Sequence, residues 1–162
     1  MFEIFELPLR RGFLGISPMP GRGGRYDQDL VAIFQWNPSM VLSMTTGDEL
    51  ARLGADGFGS DLTNAGVHWA HLPVPDFGAP PEEIAKAWQG VSVRAHKVLK
   101  NSGRVLAHCY GGCGRSGMAL LRLMTEAGEA PEAALERLRQ VRSCAVETED
   151  QYRWASLGFV DG

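Results

Sequence analysis

Apolar and polar residues alternate along this chain in blocks, and the period of alternation changes from block to block. Residues 2–7 and 12–17 read as short extended segments around Pro8-Leu9-Arg10-Arg11. Pro18 to Arg25 is rich in proline, glycine and arginine and reads as a solvated turn. Its Gly21-Arg22-Gly23-Gly24-Arg25 lacks the Gly-Lys-Ser/Thr of a nucleotide-binding loop. Asp27 is placed to cap a helix with Leu30, Val31, Ile33 and Phe34 on its apolar side, and Asn37-Pro38 ends it. Met40 to Met44 reads as a buried strand. Thr46 and Glu49 match a capping box, opening a short helix that stops at Gly54. Residues 56–65 are ambiguous between a turn and a short helix. Gly66 to Leu72 reads as a strand, with Val67, Trp69 and His71 on one side and His68, Ala70 and Leu72 on the other.

Pro73 to Pro81 is a loop of limited freedom, and Glu82-Glu83 open a long helix behind it. Ile84, Ala87, Trp88, Val91, Ala95, Val98 and Leu99 fall at helical spacing, and Gly103 is expected as the cap. Trp88 and His96 read as a packing and a surface residue. Val105-Leu106-Ala107 is a strand, and Met118 to Met124 continues as a helix. Pro131 starts another helix, with Ala134, Leu135, Leu138 and Val141 inward and Arg137, Arg139 and Arg142 on a solvated face or at its end. Thr148 and Gln151 form a second capping box before a last helix. Strands alternating with helices predict an α/β domain spanning residues 1–162. Its central sheet is expected to be mainly parallel, with about four to five strands and helices on both faces.

Composition narrows the function. With 162 residues and 44% hydrophobic content against 22% charged, the chain can bury one good core and reads as soluble. A net charge of −3 with no basic run argues against nucleic acid or an anionic membrane as a partner. No window approaches the roughly 20 apolar residues of a membrane span, and the acidic start at Met1 to Glu6 has no signal-peptide pattern. Cys109, Cys113 and Cys144 fit no zinc spacing. The simplest location is therefore a reducing cytoplasm, with Cys113 and Cys144 read as core thiols and a disulfide from Cys109 to either of them as the alternative. His68 and His71 face opposite sides of a strand and are poor joint metal ligands.

The chemistry concentrates in His108-Cys109-Tyr110-Gly111-Gly112-Cys113-Gly114-Arg115-Ser116-Gly117. A strand leads in and a helix leads out, so the loop lies at the carboxyl end of a strand and at a helix N-terminus, where an anion is favoured. Gly111, Gly112 and Gly114 let successive N–H groups turn inward as a phosphate nest, together with Tyr110, Cys113 and Arg115. Cys109 opens the loop, where the N–H groups and the helix dipole favour its thiolate form. Arg115 closes the loop with a planar fork for two phosphate oxygens. Ser116 can donate to Cys109 and help the thiolate leave. Asp76, in the loop after another strand and 33 residues before Cys109, is the candidate general acid. That separation suits a crossover helix between neighbouring parallel strands.

This stretch resembles the signature loop of cysteine-dependent protein phosphatases of the tyrosine and dual-specificity type. The likeness is specific at 108–116, fair at 73–80 and 146–152, and loose elsewhere, though Phe13-Leu14 to Met19-Pro20-Gly21 is similar to the segment before the family's first helix. It implies hydrolysis of a phosphoprotein through a phosphocysteine, with Cys109 as nucleophile and Asp76 as general acid. No metal or cofactor is implied, and a monomer is expected. His108, Glu147 and Gln151 are implied as supporting residues. Glu147 stands where the family has a glutamine that positions the hydrolytic water. A carboxylate there repels a dianion unless it pairs with Arg142 or is held away. Tyrosine against serine or threonine preference stays open.

Three other readings compete. A rhodanese-like sulfurtransferase also carries a loop cysteine, but its loop is shorter and gives Asp76 no task. A pseudophosphatase that binds phosphoprotein without turnover has only Glu147 in its favour. A phosphoinositide phosphatase is expected to hold loop lysines, and residues 110–114 include none.

Overall fold

A strand whose side chains are buried on both faces sits inside a sheet, and β5 (Arg104–His108) meets that condition at every residue past its first. A computed structural model describes residues 2–160. In it β5 is the third strand of five. β1 (Phe5–Leu9) and β2 (Gly12–Ser17) lie to one side, β3 (Met40–Ser43) and β4 (His68–His71) to the other, in the order β1-β2-β5-β3-β4. Only β1 runs antiparallel, as the hairpin partner of β2. The expected mainly parallel sheet is therefore present, with one antiparallel edge.

Alternation along the strands sends side chains to two cores. Met40, Leu42, Val105 and Ala107 face α4 (Glu82–Lys100), α5 (Gly114–Glu126), α6 (Pro131–Val141) and α7 (Glu149–Ser156). Val41 and Leu106 face α1 (Tyr26–Trp36), α2 (Gly47–Arg52) and α3 (Phe58–Asn64). Helix α5 is buried along most of its length, so the helix that follows the cysteine loop is a core element. Trp88 is packed inward and His96 is partly covered. Both hydrogen-bond Glu126 of α5, which also accepts from Ser92 and Arg122. Burial by itself would push the Glu126 carboxyl up, but its four donors hold it down at about 2.

Several local expectations are corrected. Asp27 does not cap α1; the cap position is Arg25, and Asp27 lies in the first turn. Val31 is exposed, while the polar Asp29 is buried because its carboxylate accepts from the Gly21 N–H at 2.8 Å. Pro8 and Leu9 belong to β1, and the turn is made at Arg10, whose φ is 54°. Residues 58–64 settle as a helix. After α4 the left-handed position is taken by Ser102 (φ 64°), not by Gly103, where a Cβ would instead meet Val98. Finally, β4 and β5 are not neighbours. β3 lies between them, so the crossover through α4 steps over one strand. All three of these strands still end on one rim, which receives the Cys109 loop, the Asp76 loop and the start of α2.

Candidate active site

The loop after β5 is shaped by close packing. Gly112 has φ 74°, and a Cβ there would come within 2.6 Å of the Ser17 and Pro18 backbone, so both conformation and space require glycine. A Cβ on Gly114 would overlap Glu147. Among the described residues, the N–H groups of Tyr110, Gly111, Gly112 and Cys113 donate to no backbone carbonyl. The carbonyls are tied outward instead. Arg142 donates to Gly111 O and Gly112 O at 2.9 Å each, and the Cys113 carbonyl accepts from Gly117 N and Val146 N. A loop with its carbonyls fixed outside and its N–H groups unspent is an anion nest.

Cys109 is buried, with its Sγ 3.1 Å from Ser116 Oγ on the first turn of α5. Beneath it, His108 is fully buried between β3 and β2. Burial, with Arg115 nearby, lowers its imidazole to about 4, so the ring is neutral. A neutral ring has one donor and one acceptor nitrogen. Nδ1 faces the Cys109 carbonyl at 3.4 Å and is the donor, so Nε2 accepts from Ser43 Oγ at 2.6 Å. The Ser43 oxygen in turn accepts from Trp69 Nε1 at 2.8 Å. A relay across three parallel strands thus fixes the backbone at the nucleophile. Sequence reasoning missed Ser43 and Trp69, because the contacts depend on strand order.

Arg115 has a side chain only 1% exposed and is held as a fork. Nη1 donates to Glu49 Oε1 at 2.7 Å and to Val74 O at 2.9 Å, while Nη2 donates to Glu49 Oε2 at 2.9 Å. Asp76 Oδ1 is 3.4 Å from Nη2. Arg115 Nε has no partner among the described residues, leaving one buried donor unspent beside the nest. Burial would raise the Glu49 carboxyl, but the Arg115 hydrogen bonds and the Thr46 N–H outweigh it and hold the group at about 2. Glu49 was legible only as a capping-box residue, and that box is present. Its second task could have been read from the rim rule: α2 follows β3, so its first-turn carboxylates open onto the same edge as Cys109.

Asp76 is half exposed and its Oδ1 accepts from Phe77 N at 3.0 Å. Its loop is anchored by α7. Thr148 Oγ1 donates to Phe77 O at 3.3 Å and Gln151 Nε2 to Gly78 O at 3.2 Å. Gln151 is fully buried, its Oε1 accepting from Glu147 N and Thr148 N, so it positions a loop and has no amide oxygen left over. Glu147 is exposed and lies over Gly114 at the start of α5. Arg142 does not pair with it, being spent on the loop carbonyls and the Phe5 ring. The expectation of Cys113 and Cys144 as separate core thiols is overturned: they form a disulfide, with Cα atoms 5.2 Å apart, and Cys109 is the free cysteine. Among the described residues no group of three or more His, Cys, Asp or Glu is placed to hold a metal ion, and no helix is long and apolar enough to cross a membrane.

Comparison with known proteins adds three findings. Residues 20–129 match the family described as "Polymorphic toxin system, DSP-PTPase phosphatase". Cyclin-dependent kinase inhibitor 3 of Mus musculus is 31% identical over 94% of this chain and 76% of its own length, and the Homo sapiens protein is 29% identical over 88% and 69%. A crystal structure of kinase-associated phosphatase, with its catalytic-site cysteine replaced by serine, superposes with a TM-score of 0.82 at 25% identity, covering 95% of this chain and 92% of that one. Tk-PTP in its active form gives 0.68 at 26% identity, covering 87% of each chain. Cys144, Glu147 and Gln151 lie beyond the segment matched by the family.

Proposed function

The chain belongs to the DSP-PTPase phosphatases, the cysteine-dependent protein phosphatases of dual-specificity and tyrosine type, and from that premise we propose how its own residues hydrolyse a phosphoprotein. The observation that carries the mechanism is the rim geometry: a buried thiol and a guanidinium with one unspent buried donor share a single loop of free N–H groups. That constellation asks for a tetrahedral anion held above sulfur. The phosphate oxygens take the loop N–H groups of Tyr110 to Arg115 and the Arg115 Nε.

The Cys109 thiolate attacks phosphorus, an S–P bond forms and the ester P–O bond breaks. Protonated Asp76 delivers its proton to the departing oxygen. Water then attacks phosphorus and gives a proton to the Asp76 carboxylate. The S–P bond breaks, and the returning thiolate accepts from the Ser116 hydroxyl. Gln151 acts through the Asp76 loop. Glu147 bounds the nest at Gly114, so the second step proceeds beside a carboxylate where the family has an amide. The neutral His108 holds the Cys109 carbonyl in place.

The substrate class is phosphotyrosine in a protein, with phosphoserine and phosphothreonine as the further esters to test. The unit is a monomeric single domain that needs neither metal nor cofactor and resides in the cytoplasm. There the Cys113–Cys144 pair meets thiol reductants. Initial rates on matched phosphotyrosine and phosphothreonine peptides, with and without chelator, test this reading. Turnover of the phosphotyrosine peptide insensitive to chelation is expected, and a large loss on chelation would point to a metallophosphatase. Glu147 favours one second reading, a module that binds phosphoprotein without turnover; tight binding of a phosphopeptide with no released phosphate would establish it.

A further inference from the structure

Beside the nest, on the side away from Asp76, the segment between β2 and α1 forms a groove of about 810 Å³ lined by Pro18, Met19, Arg22, Gly23, Arg25 and Gln28, among others. Read from sequence, residues 18–25 are a solvated turn; the structure gives the turn a fixed relation to the phosphate loop. Met19 N donates to Tyr110 O at 3.1 Å, and Gly112 packs against Ser17 and Pro18. Arg22 N donates to Met19 O, which directs its side chain back over the loop. The Arg22 guanidinium carbon lies 4.8 Å from the centre of the exposed Tyr110 ring, and its Nη1 reaches within 3.7 Å of the space beside Gly111. A cation stacked on a tyrosine keeps its in-plane donors for another anion.

The charges of this groove are unbalanced. The arginines that form ion pairs among the described residues are Arg104, Arg115, Arg122, Arg137 and Arg153, and neither Arg22 nor Arg25 is one of them. Arg25 reaches only the neutral Gln28, at 3.4 Å. Among the described residues the acid that lines the groove is Asp29, which is 8% exposed and accepts from the Gly21 N–H. Arg22 therefore stands against the phosphate loop with its charge unpaired among the described residues, and Arg25 lines the groove that leads away from it.

We infer that Arg22 and Arg25 form a subsite for acidic residues flanking the phosphorylated residue of a substrate protein. This rests on the phosphatase reading above. Arg22 is a specificity-determining residue at the nest's edge, and Arg25 extends the same positive path along the groove. A peptide suits the groove better than an anionic lipid surface, since the loop carries no lysine and the chain has no basic run.

The test uses the full chain and three phosphotyrosine peptides identical except for flanking aspartates, alanines or lysines, with an aryl phosphate and phosphoinositide vesicles alongside. Exposed charge pairs change binding modestly, so kcat/KM is expected to rank acidic over alanine over lysine peptide, with roughly three- to tenfold between the first two, mostly through KM. The acidic-to-alanine ratio should fall toward one in R22Q/R25Q, recover in R22K/R25K, and invert in R22E/R25E. Using a ratio within each variant cancels any change in folded fraction. A flat ranking in the unaltered protein, a ratio that survives R22E/R25E, or vesicle hydrolysis faster than any peptide overturns the subsite while leaving the phosphatase reading intact. No turnover of peptides or aryl phosphate removes that reading, and the subsite with it.

Discussion

At the scale of single residues, the site divides into groups that touch phosphate and groups that hold them. Cys109, Arg115 and Ser116 were legible because they lie in one short stretch of chain, and their relation does not depend on the strand order of the sheet. Glu49, Ser43 and Trp69 were not read as site residues: Ser43 ends β3, Glu49 lies on the helix after it and Trp69 is on β4, and sequence spacing carries no strand order. Asp76 stands between these cases: its loop lies on the shared rim, but its side chain is half exposed and 3.4 Å from Arg115. Replacing it should depend on the leaving group. Asp76→Asn is expected to slow an unactivated phosphotyrosine peptide by on the order of 10²-fold, as loss of general acid catalysis does. A strongly activated fluorinated aryl phosphate should slow far less, because its phenolate leaves without a proton. Alanine at Asp48, Asp56 or Asp61 should show neither effect. Equal slowing of both substrates by Asp76→Asn would reduce Asp76 to a loop-holding residue.

At the scale of elements, both capping boxes, the helix α4 and the strand-loop-helix around Cys109 follow from periodicity and cap chemistry. Helix α3 stayed open between a turn and a short helix because Phe58 and Leu62 share the segment with Gly59, where a Cβ would overlap the Trp69 ring. The Cys113–Cys144 disulfide escaped because spacing does not fix pairing, and the loop and the turn before α7 meet only once α5 and α6 are folded. The bond ties the fourth intervening residue of the phosphate loop to the segment that carries Glu147, across a separation of 31 residues. A cross-link of that span stabilises by about 2–4 kcal/mol. The urea midpoint should therefore fall in reductant, and C113A/C144A should start at the lower value and ignore reductant. Identical midpoints for the unaltered protein with and without reductant would mean that the bond contributes nothing to stability.

At the scale of the whole molecule, two sheet faces buried by helices leave one open rim, and every proposed catalytic group is delivered to it by the end of a parallel strand. The same design sets the acid response. Burial lowers His108 from 6.5 to about 4, and the ion-pair networks of Glu49 and Glu126 lower each carboxyl from 4.5 to about 2. In each case the unfolded chain binds the proton more readily, so stability rises with pH through the window. The His108 contribution is complete above 6.5 and is lost as pH falls toward 4, whereas the carboxylate contributions are complete above 4.5 and are lost toward 2. Urea midpoints should drop between pH 7 and pH 5 and again below, and Glu49→Gln should flatten the lower step. That variant should also lose about 3 kcal/mol at neutral pH, since it strips a buried guanidinium of its main partner. A midpoint constant from pH 7 to pH 3 would contradict the assignment. The central claim is that Cys109 carries the phosphoryl group, and the most direct measurement is a rapid acid quench during turnover of a phosphorus-labelled aryl phosphate, followed by peptide mapping. The account predicts one phosphate on the peptide containing Cys109, and neither label nor turnover in a folded Cys109→Ser variant. Undiminished hydrolysis by Cys109→Ser, or label on any other residue, would contradict it.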